Sequence, residues 1–335
     1  MQFTDTLLHW YADNQRSLPW RGERDVYRVW VSEIILQQTR VSQGWEYYLR
    51  FIKTFPNVKS LAEANEEDVL RVWQGLGYYS RARNMHAAAK SIMEHYGGRF
   101  PSDYNSIRQL KGIGDYTAAA ISSFAYGLPY PAVDGNVLRI ISRIYGIHDN
   151  IMEGSTRKHI TELCTKLIAK ANPADFNQAL MDFGSLQCVP KKPACEECPL
   201  QSECYAYQHD EVELLPVSIK KIKVKQRYLH FFVFIRNNQI LIEKREANDI
   251  WKNLYQLPMI ETKKAQKLKH KLLFQTKHQL THQMLHASFY EVSDINTLPP
   301  ASSQRLTVDT EELNMYAFPQ LIVNFLKLHI ENTKL

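Results

Sequence analysis

The sequence predicts an all-α domain followed by a smaller α+β domain, and three observations carry that prediction. Apolar residues recur at intervals of three and four from the start of the chain to about Cys204, the helical period. Beyond that point short β-rich runs take over. Four of the five cysteines, Cys188, Cys195, Cys198 and Cys204, crowd the junction. A chain of 335 residues is long for one core, so about two domains are expected. The boundaries read as a helical domain at 1–204, a basic linker at 205–227 and a second domain at 228–335.

Taken in order, Tyr27, Trp30, Val31, Ile34 and Ile35 mark one buried helical stripe. Glu33 lies off it, on a flank shared with Gln37 and Arg40, where a solvated face is the plain reading. A cleft at that place would instead raise its pKa and let it hold a proton near neutrality. Leu110–Ala120 puts a G-x-G turn, Gly112 and Gly114, between two helical stretches. Such a hairpin offers backbone N–H groups and a helix N-terminus to a phosphate, although a plain helix-helix turn has the same pattern. Asp134 immediately precedes the periodic run Val137, Ile140, Ile141, Ile144 and reads as its N-cap, a place that favours a rigid, ionised carboxylate. Cys164, within Leu163–Ile168, reads as a small buried apolar residue.

The four remaining cysteines are separated by six, two and five residues. Four thiolates on one loop suit a tetrahedral zinc or an iron-sulfur cluster, and a single C-x-x-C between two outlying cysteines favours the cluster. A disulfide framework fits poorly, because Met1–Thr6 lacks a basic and apolar leader. No apolar run is long enough to span a bilayer, and a cytoplasmic location is expected. After Cys204 the residues Lys220, Lys221, Lys223, Lys225 and Arg227 read as a basic tether. Tyr228–Ile235 and Ile240–Lys244 flank Asn237-Asn238 as a hairpin, a strand is expected near Met284–Val292, and Pro319 opens a last helix. The net charge of +6 suits an anionic partner.

The hairpin Leu110–Thr117, the Val133-Asp134-Gly135-Asn136 segment and the cysteine loop, in that order, resemble the helix-hairpin-helix DNA glycosylases that carry a 4Fe-4S cluster. Leu18–Arg21, Val31–Thr39, Gly75–Asn84 and Phe176–Gly184 are similar to signatures of the adenine DNA glycosylases of the MutY type. The resemblance covers nearly all of residues 5–204, and residues 228–335 resemble that family's Nudix-like domain without a glutamate-rich Nudix box.

The resemblance implies base excision repair of duplex DNA, with removal of adenine opposite 8-oxoguanine or guanine. Glu33 would protonate the purine at N7 and Asp134 would stabilise the oxocarbenium-like sugar, with Tyr116 and Asn136 organising acid, aspartate and water. Arg16 and Gln178 match pocket positions around the base, and Arg21 and Leu36 fall in the matched motifs beside them. Tyr78 and Gln38 match groups that wedge into the stack, while Gly112 and Gly114 face the backbone. Cys188, Cys195, Cys198 and Cys204 would hold one structural 4Fe-4S cluster, with Lys191 and Lys192 near phosphates. Endonuclease III carries a lysine in its hairpin motif that breaks the strand. Asp115-Tyr116-Thr117 has none, so a monofunctional enzyme is expected, acting as a monomer. The lesion-reading Phe-Ser-His turn stands here as Leu280-Thr281-His282, which keeps a hydroxyl and loses the ring. The alternatives are an endonuclease III-like glycosylase and lyase, disfavoured by the missing lysine, and a non-catalytic iron-sulfur sensor of DNA, disfavoured by the Glu33 and Asp134 pair.

Overall fold

The computed structural model describes residues 3–219, 224–246, 249–301 and 303–330. Helices α1 (Phe3–Asn14), α2 (Val26–Leu36), α3 (Val41–Thr54), α4 (Val58–Glu63), α5 (Glu66–Trp73) and α6 (Ser80–Tyr96) come first. They are followed by α7 (Tyr104–Gln109), α8 (Asp115–Tyr126), α9 (Gly135–Tyr145), α10 (Gly154–Ile168), α11 (Pro173–Leu186) and α12 (Tyr205–Gln208). Strands β1 (Lys225–Val233), β2 (Ile235–Arg236), β3 (Gln239–Lys244), β4 (Tyr255–Gln256), β5 (Met259–Thr262), β6 (Lys271–Gln279), β7 (Gln283–Glu291) and β8 (Arg305–Asp309) precede a last helix, α13 (Gln320–His329). Among the described residues no helix is long and apolar enough to cross a membrane.

Two compact units result, Met1–Glu63 with Ala87–Lys220, and Ala64–His86 with Lys221–Leu335. In the helical unit α10 buries one stripe while α9 is buried from Val137 to Ile144, and Val137, Ile140, Ile141, Ile160, Phe176 and Phe183 share a core with Leu7 of α1. Cys164 is fully buried in that core, and burial pushes its thiol up to about 12, as its apolar surroundings require. Side-chain caps start the helices that matter most. Asn172 accepts the Ala174 and Asp175 N–H groups ahead of Pro173, and Asp25 accepts those of Tyr27 and Arg28.

The strand-rich unit holds a sheet in the order β5-β1-β7-β6 and a second in the order β2-β3-β4 with β8 on β3. Strands β1 and β7 run parallel, pairing Leu229 with Ala287 and Phe231 with Phe289, and these alternate residues face a core closed by Phe318, Ile322 and Phe325. Pro319 caps α13.

Three expectations are corrected here. The Asn237-Asn238 turn, both residues left-handed with φ of 51° and 62°, joins β2 to β3, whereas Tyr228–Val233 leaves that hairpin after Phe234 for the other sheet. Residues 205–219 are not a free tether: Arg143 Nε donates to the Leu215 C=O at 2.9 Å and Ile151 N to the Val217 C=O at 3.0 Å. Arg227 is buried in β1 against Asp249 and Glu261. Lys220, Lys221 and Lys223 lie outside the described residues. The third concerns residues 64–86, which group with the strands although they lie inside the expected helical domain.

Gly146 closes α9 with φ of 65°, and a Cβ there would stand 2.6 Å from the Tyr205 ring. Strain and overlap act together, so Gly146→Ala should lose about 2–3 kcal/mol in denaturant unfolding.

Candidate active site

Glu33 sits one turn before the end of α2, a helix buried nearly all round, and is itself only 7% exposed. The solvated flank is therefore not what forms. Its carboxyl lines a cavity with Arg16, Arg21, Leu36, Tyr116, Gln178 and Met181. Burial pushes the Glu33 pKa up to about 7, against the lowering pull of a hydrogen bond from Tyr116 and of the Arg21 charge, and with a further upward push from Asp134. Tyr116 lies in the first turn of α8, just past Gly114, and the same burial drives its hydroxyl well above its ordinary value. It stays protonated and donates to Glu33.

Asp134 caps α9, accepting the Asn136 N–H at 2.8 Å and the Val137 N–H at 2.9 Å on one oxygen. Its other oxygen accepts the Asn136 side-chain amide at 3.0 Å. Burial still pushes Asp134 upward, against these N–H donors and Arg139, so the expectation of a simply favoured ionised form is qualified by desolvation. Asn136 in turn accepts from Arg139 at 2.9 Å. Gly184 of α11 packs on Asn136 so closely that a Cβ at 184 would stand 2.6 Å from the Asn136 Cβ.

Behind these side chains stand two buried residues of α11 whose roles the sequence did not single out. Asp182, fully buried on α11, accepts from the Arg16 N–H at 3.0 Å, from Arg16 Nε at 2.8 Å and from Arg21 Nη2 at 2.5 Å. It fixes both arginines beside Glu33. Asn177, 1% exposed, accepts the Ala132 N–H at 2.9 Å and donates to the Tyr130 C=O and Ser123 Oγ at 2.9 Å each, holding the segment that leads into Asp134. Polar residues recurring on an otherwise apolar helix were the available signal. Gln178 accepts from Tyr11 at 2.8 Å, which aims its amide donors at the cavity.

The four cysteines interact with one another on the loop after α11, which ends in short 3₁₀ turns. Arg143 Nη1 lies 3.4 Å from Cys188 Sγ, and Arg139 Nε donates to the Cys188 C=O at 2.8 Å. Burial pushes Cys198 up to about 11 and raises Cys195 and Cys204, so a bound cationic centre is needed to hold them as thiolates. N–H groups that hydrogen-bond the thiolates of Cys198 and Cys204 complete a donor set that fits a cluster. Lys191 and Lys192 are exposed on this loop.

In the strand-rich unit, Tyr78 is 46% exposed on a turn with Gly75, Gly77 and Tyr78 all at positive φ. Arg81 stacks on Trp73 and Tyr78 and caps the turn by donating to the Leu76 C=O at 3.3 Å. The Tyr78 hydroxyl meets Thr281 Oγ1 at 2.5 Å, joining two sequence-selected residues 203 positions apart. His282 is exposed beside Thr281, and Leu280 packs against the core. Gln38, exposed and left-handed after α2, and Gly112, with φ of 84°, lie in the helical unit, as does Gly114, which adopts an ordinary extended φ as the cap of α8.

Because Glu33 has a higher pKa folded than in solution, it destabilises the fold progressively as pH rises from its solution pKa to about 7. Glu33→Gln removes that penalty, so thermal unfolding at about pH 8 should show a gain of about 2 kcal/mol that closes toward about pH 4.

Comparison with known proteins divides the chain along its sequence, with residues 64–86 inside the helical match. Residues 31–170 match the family model of HhH-GPD superfamily base excision DNA repair proteins, 188–204 the iron-sulfur binding domain of endonuclease III and 230–328 a NUDIX domain. The adenine DNA glycosylase of Buchnera aphidicola subsp. Schizaphis graminum is 38% identical over 296 residues, 85% of each chain. That of Mus musculus is 41% identical over 215 residues, 62% of this chain and 42% of the mouse chain. A thermostable thymine-DNA glycosylase structure has a TM-score of 0.57 at 30% identity, over 62% of this chain and 95% of its own. A non-covalent endonuclease III–DNA complex reaches 0.54 at 21% identity, over 62% and 94%, a likeness of fold.

Proposed function

The chain belongs to the adenine DNA glycosylase family, and we propose that it hydrolyses the N-glycosidic bond of adenine opposite 8-oxoguanine or guanine in duplex DNA. The observation that carries this reading is the pair Glu33 and Asp134. Desolvation raises both carboxyls, but a Tyr116 side-chain hydrogen bond meets Glu33 whereas three N–H groups face Asp134. Environments that differ in this way separate an acid from a carboxylate.

A base within the stack is out of reach, so the adenine must be extruded into the cavity beside Glu33. There Glu33, holding a proton near neutrality, donates it to N7 and turns adenine into a neutral leaving group. Asp134, ionised and held by the N-terminus of α9, faces the positive charge that develops on the sugar. Asn136 keeps that carboxylate in register and orients the attacking water. Gln178 presents amide donors to the base edge, and Arg16 and Arg21, fixed by Asp182, bound the same cavity. Tyr78 and Gln38 each supply a group that wedges into the stack beside the lesion, and Thr281 and His282 read the base opposite adenine. Gly112 and Gly114 let the hairpin backbone approach phosphates.

Cys188, Cys195, Cys198 and Cys204 hold one 4Fe-4S cluster, whose contribution is to fix the loop between α11 and α12. Lys191 and Lys192 then face the DNA backbone. Chemistry at the hairpin ends with an abasic site: Asp115-Tyr116-Thr117 supplies no amine, and Lys111 is an exposed residue ahead of Gly112. The protein acts as a monomer on duplex DNA.

Single-turnover reaction with a duplex carrying adenine opposite 8-oxoguanine should release free adenine, with strand breaks appearing only after hot alkali. Breaks before alkali, trapped by borohydride, would refute the monofunctional assignment. The rate should fall as pH rises through about 7, because the Glu33 proton is lost there. Glu33→Gln should retain DNA binding, lose most of the rate and lack that alkaline limb.

A further inference from the structure

The turn that carries Tyr78 is gripped at both ends by one residue of the strand-rich unit, Phe318. Gln74, just ahead of the turn, accepts the Phe318 N–H at 3.0 Å. Tyr79, next after Tyr78, donates its hydroxyl to the Phe318 C=O at 3.1 Å, and that hydroxyl in turn accepts the Gly75 N–H at 3.4 Å. One buried hydroxyl thus bridges the start of the turn and Phe318. That residue is itself fixed, with its ring fully buried in the core and Pro319 capping α13 beside it.

Further bonds tie the flanking helices α5 and α6 to β3, β4 and the loop between them. Asn253 donates to Glu66 at 2.5 Å, Lys244 and Tyr255 meet Glu67 at 2.6 Å and 3.2 Å, and Arg83 donates to the Lys252 C=O at 2.9 Å. Residues 64–86 therefore belong to the strand-rich unit despite lying within the helical part of the sequence. At the far side of the turn, Tyr78 meets Thr281.

We infer that Tyr79 is a positioning residue for the choice of opposite base, acting through this clasp. The ring that enters the DNA and the hydroxyl that reads the base opposite adenine are parts of one body, and the Tyr79 hydroxyl sets the distance between them. Preassembly removes the cost of bringing wedge and reader together at each encounter, and a shift of about 1 Å at either is enough to lose the benefit. The inference rests on the roles proposed above for Tyr78 and Thr281.

The test is single-turnover adenine release by the full, cluster-loaded chain from duplexes with 8-oxoguanine or guanine opposite adenine, for the unsubstituted protein, Tyr79→Phe and Gln74→Ala. The ratio of the two rates should fall about tenfold in Tyr79→Phe, since a buried acceptor and donor lose that partner, and in the same direction but less in Gln74→Ala. The rate opposite guanine should stay within about twofold, a pattern that loss of stability alone does not produce. An unchanged ratio in the folded variants, or a proportional fall of both rates, overturns the inference. Failure of the unsubstituted protein to release adenine from either duplex refutes the proposed function itself, and the inference with it.

Discussion

Two buried guanidiniums on a single helix organise the helical unit. Arg139 reaches the carbonyls of Gly184 and Cys188, and Arg143 those of Val189, Pro190 and Leu215. A charge taken out of water is tolerated only when its donors are matched, so each arginine demands that several stretches of backbone converge on it. The end of α11, the first turn of the cysteine loop and the segment after α12 all do so. The helix bearing these arginines is also the one that Asp134 caps. The position of the carboxylate and the path of the cysteine loop are thus two consequences of one set of charge-assisted hydrogen bonds.

The two carboxyls differ in depth, Glu33 buried and Asp134 half-buried, and more in what surrounds them. Glu33 is carried on a helix buried nearly all round, and its raised pKa follows from desolvation that Tyr116 and Arg21 only partly offset. Asp134 suffers desolvation too, but stands where a helix presents unpaired N–H groups. Arg16 and Arg21 approach the cavity with their charge already engaged by Asp182, which limits how strongly they pull a proton off Glu33.

Much of this was legible in the sequence because it depends on local pattern. The stripe Val137, Ile140, Ile141, Ile144 and the cap at Asp134 specify α9 from a dozen residues, and the paired asparagines specify a two-residue turn. What was illegible depends on long-range packing. Glu33 looks like a flank residue because helical period describes one face, whereas α2 is buried nearly all round and packs on α8, remote in sequence, as well as on α3. Arg227 looks like part of a solvated basic run, since its partners Asp249 and Glu261 are remote. The assignment of residues 64–86 to the strand-rich unit has no local signature, because it resides in contacts such as Tyr79 with Phe318. Thr281 could be picked out by resemblance, but its meeting with Tyr78 belongs to the fold alone.

Gly184 lies inside α11 with ordinary helical backbone, and nothing about its conformation calls for glycine. By helix propensity alone alanine is the better residue at such a site, by about 1 kcal/mol. The contact with Asn136 reverses that ranking, since an added methyl would occupy the space of the side chain that steadies Asp134. Helix propensity and the packing of the Asn136–Asp134 pair therefore pull in opposite directions at this position. The small residue is a marginal weakness that the chain keeps in α11 to hold Asn136, and through it Asp134, in place two helices away.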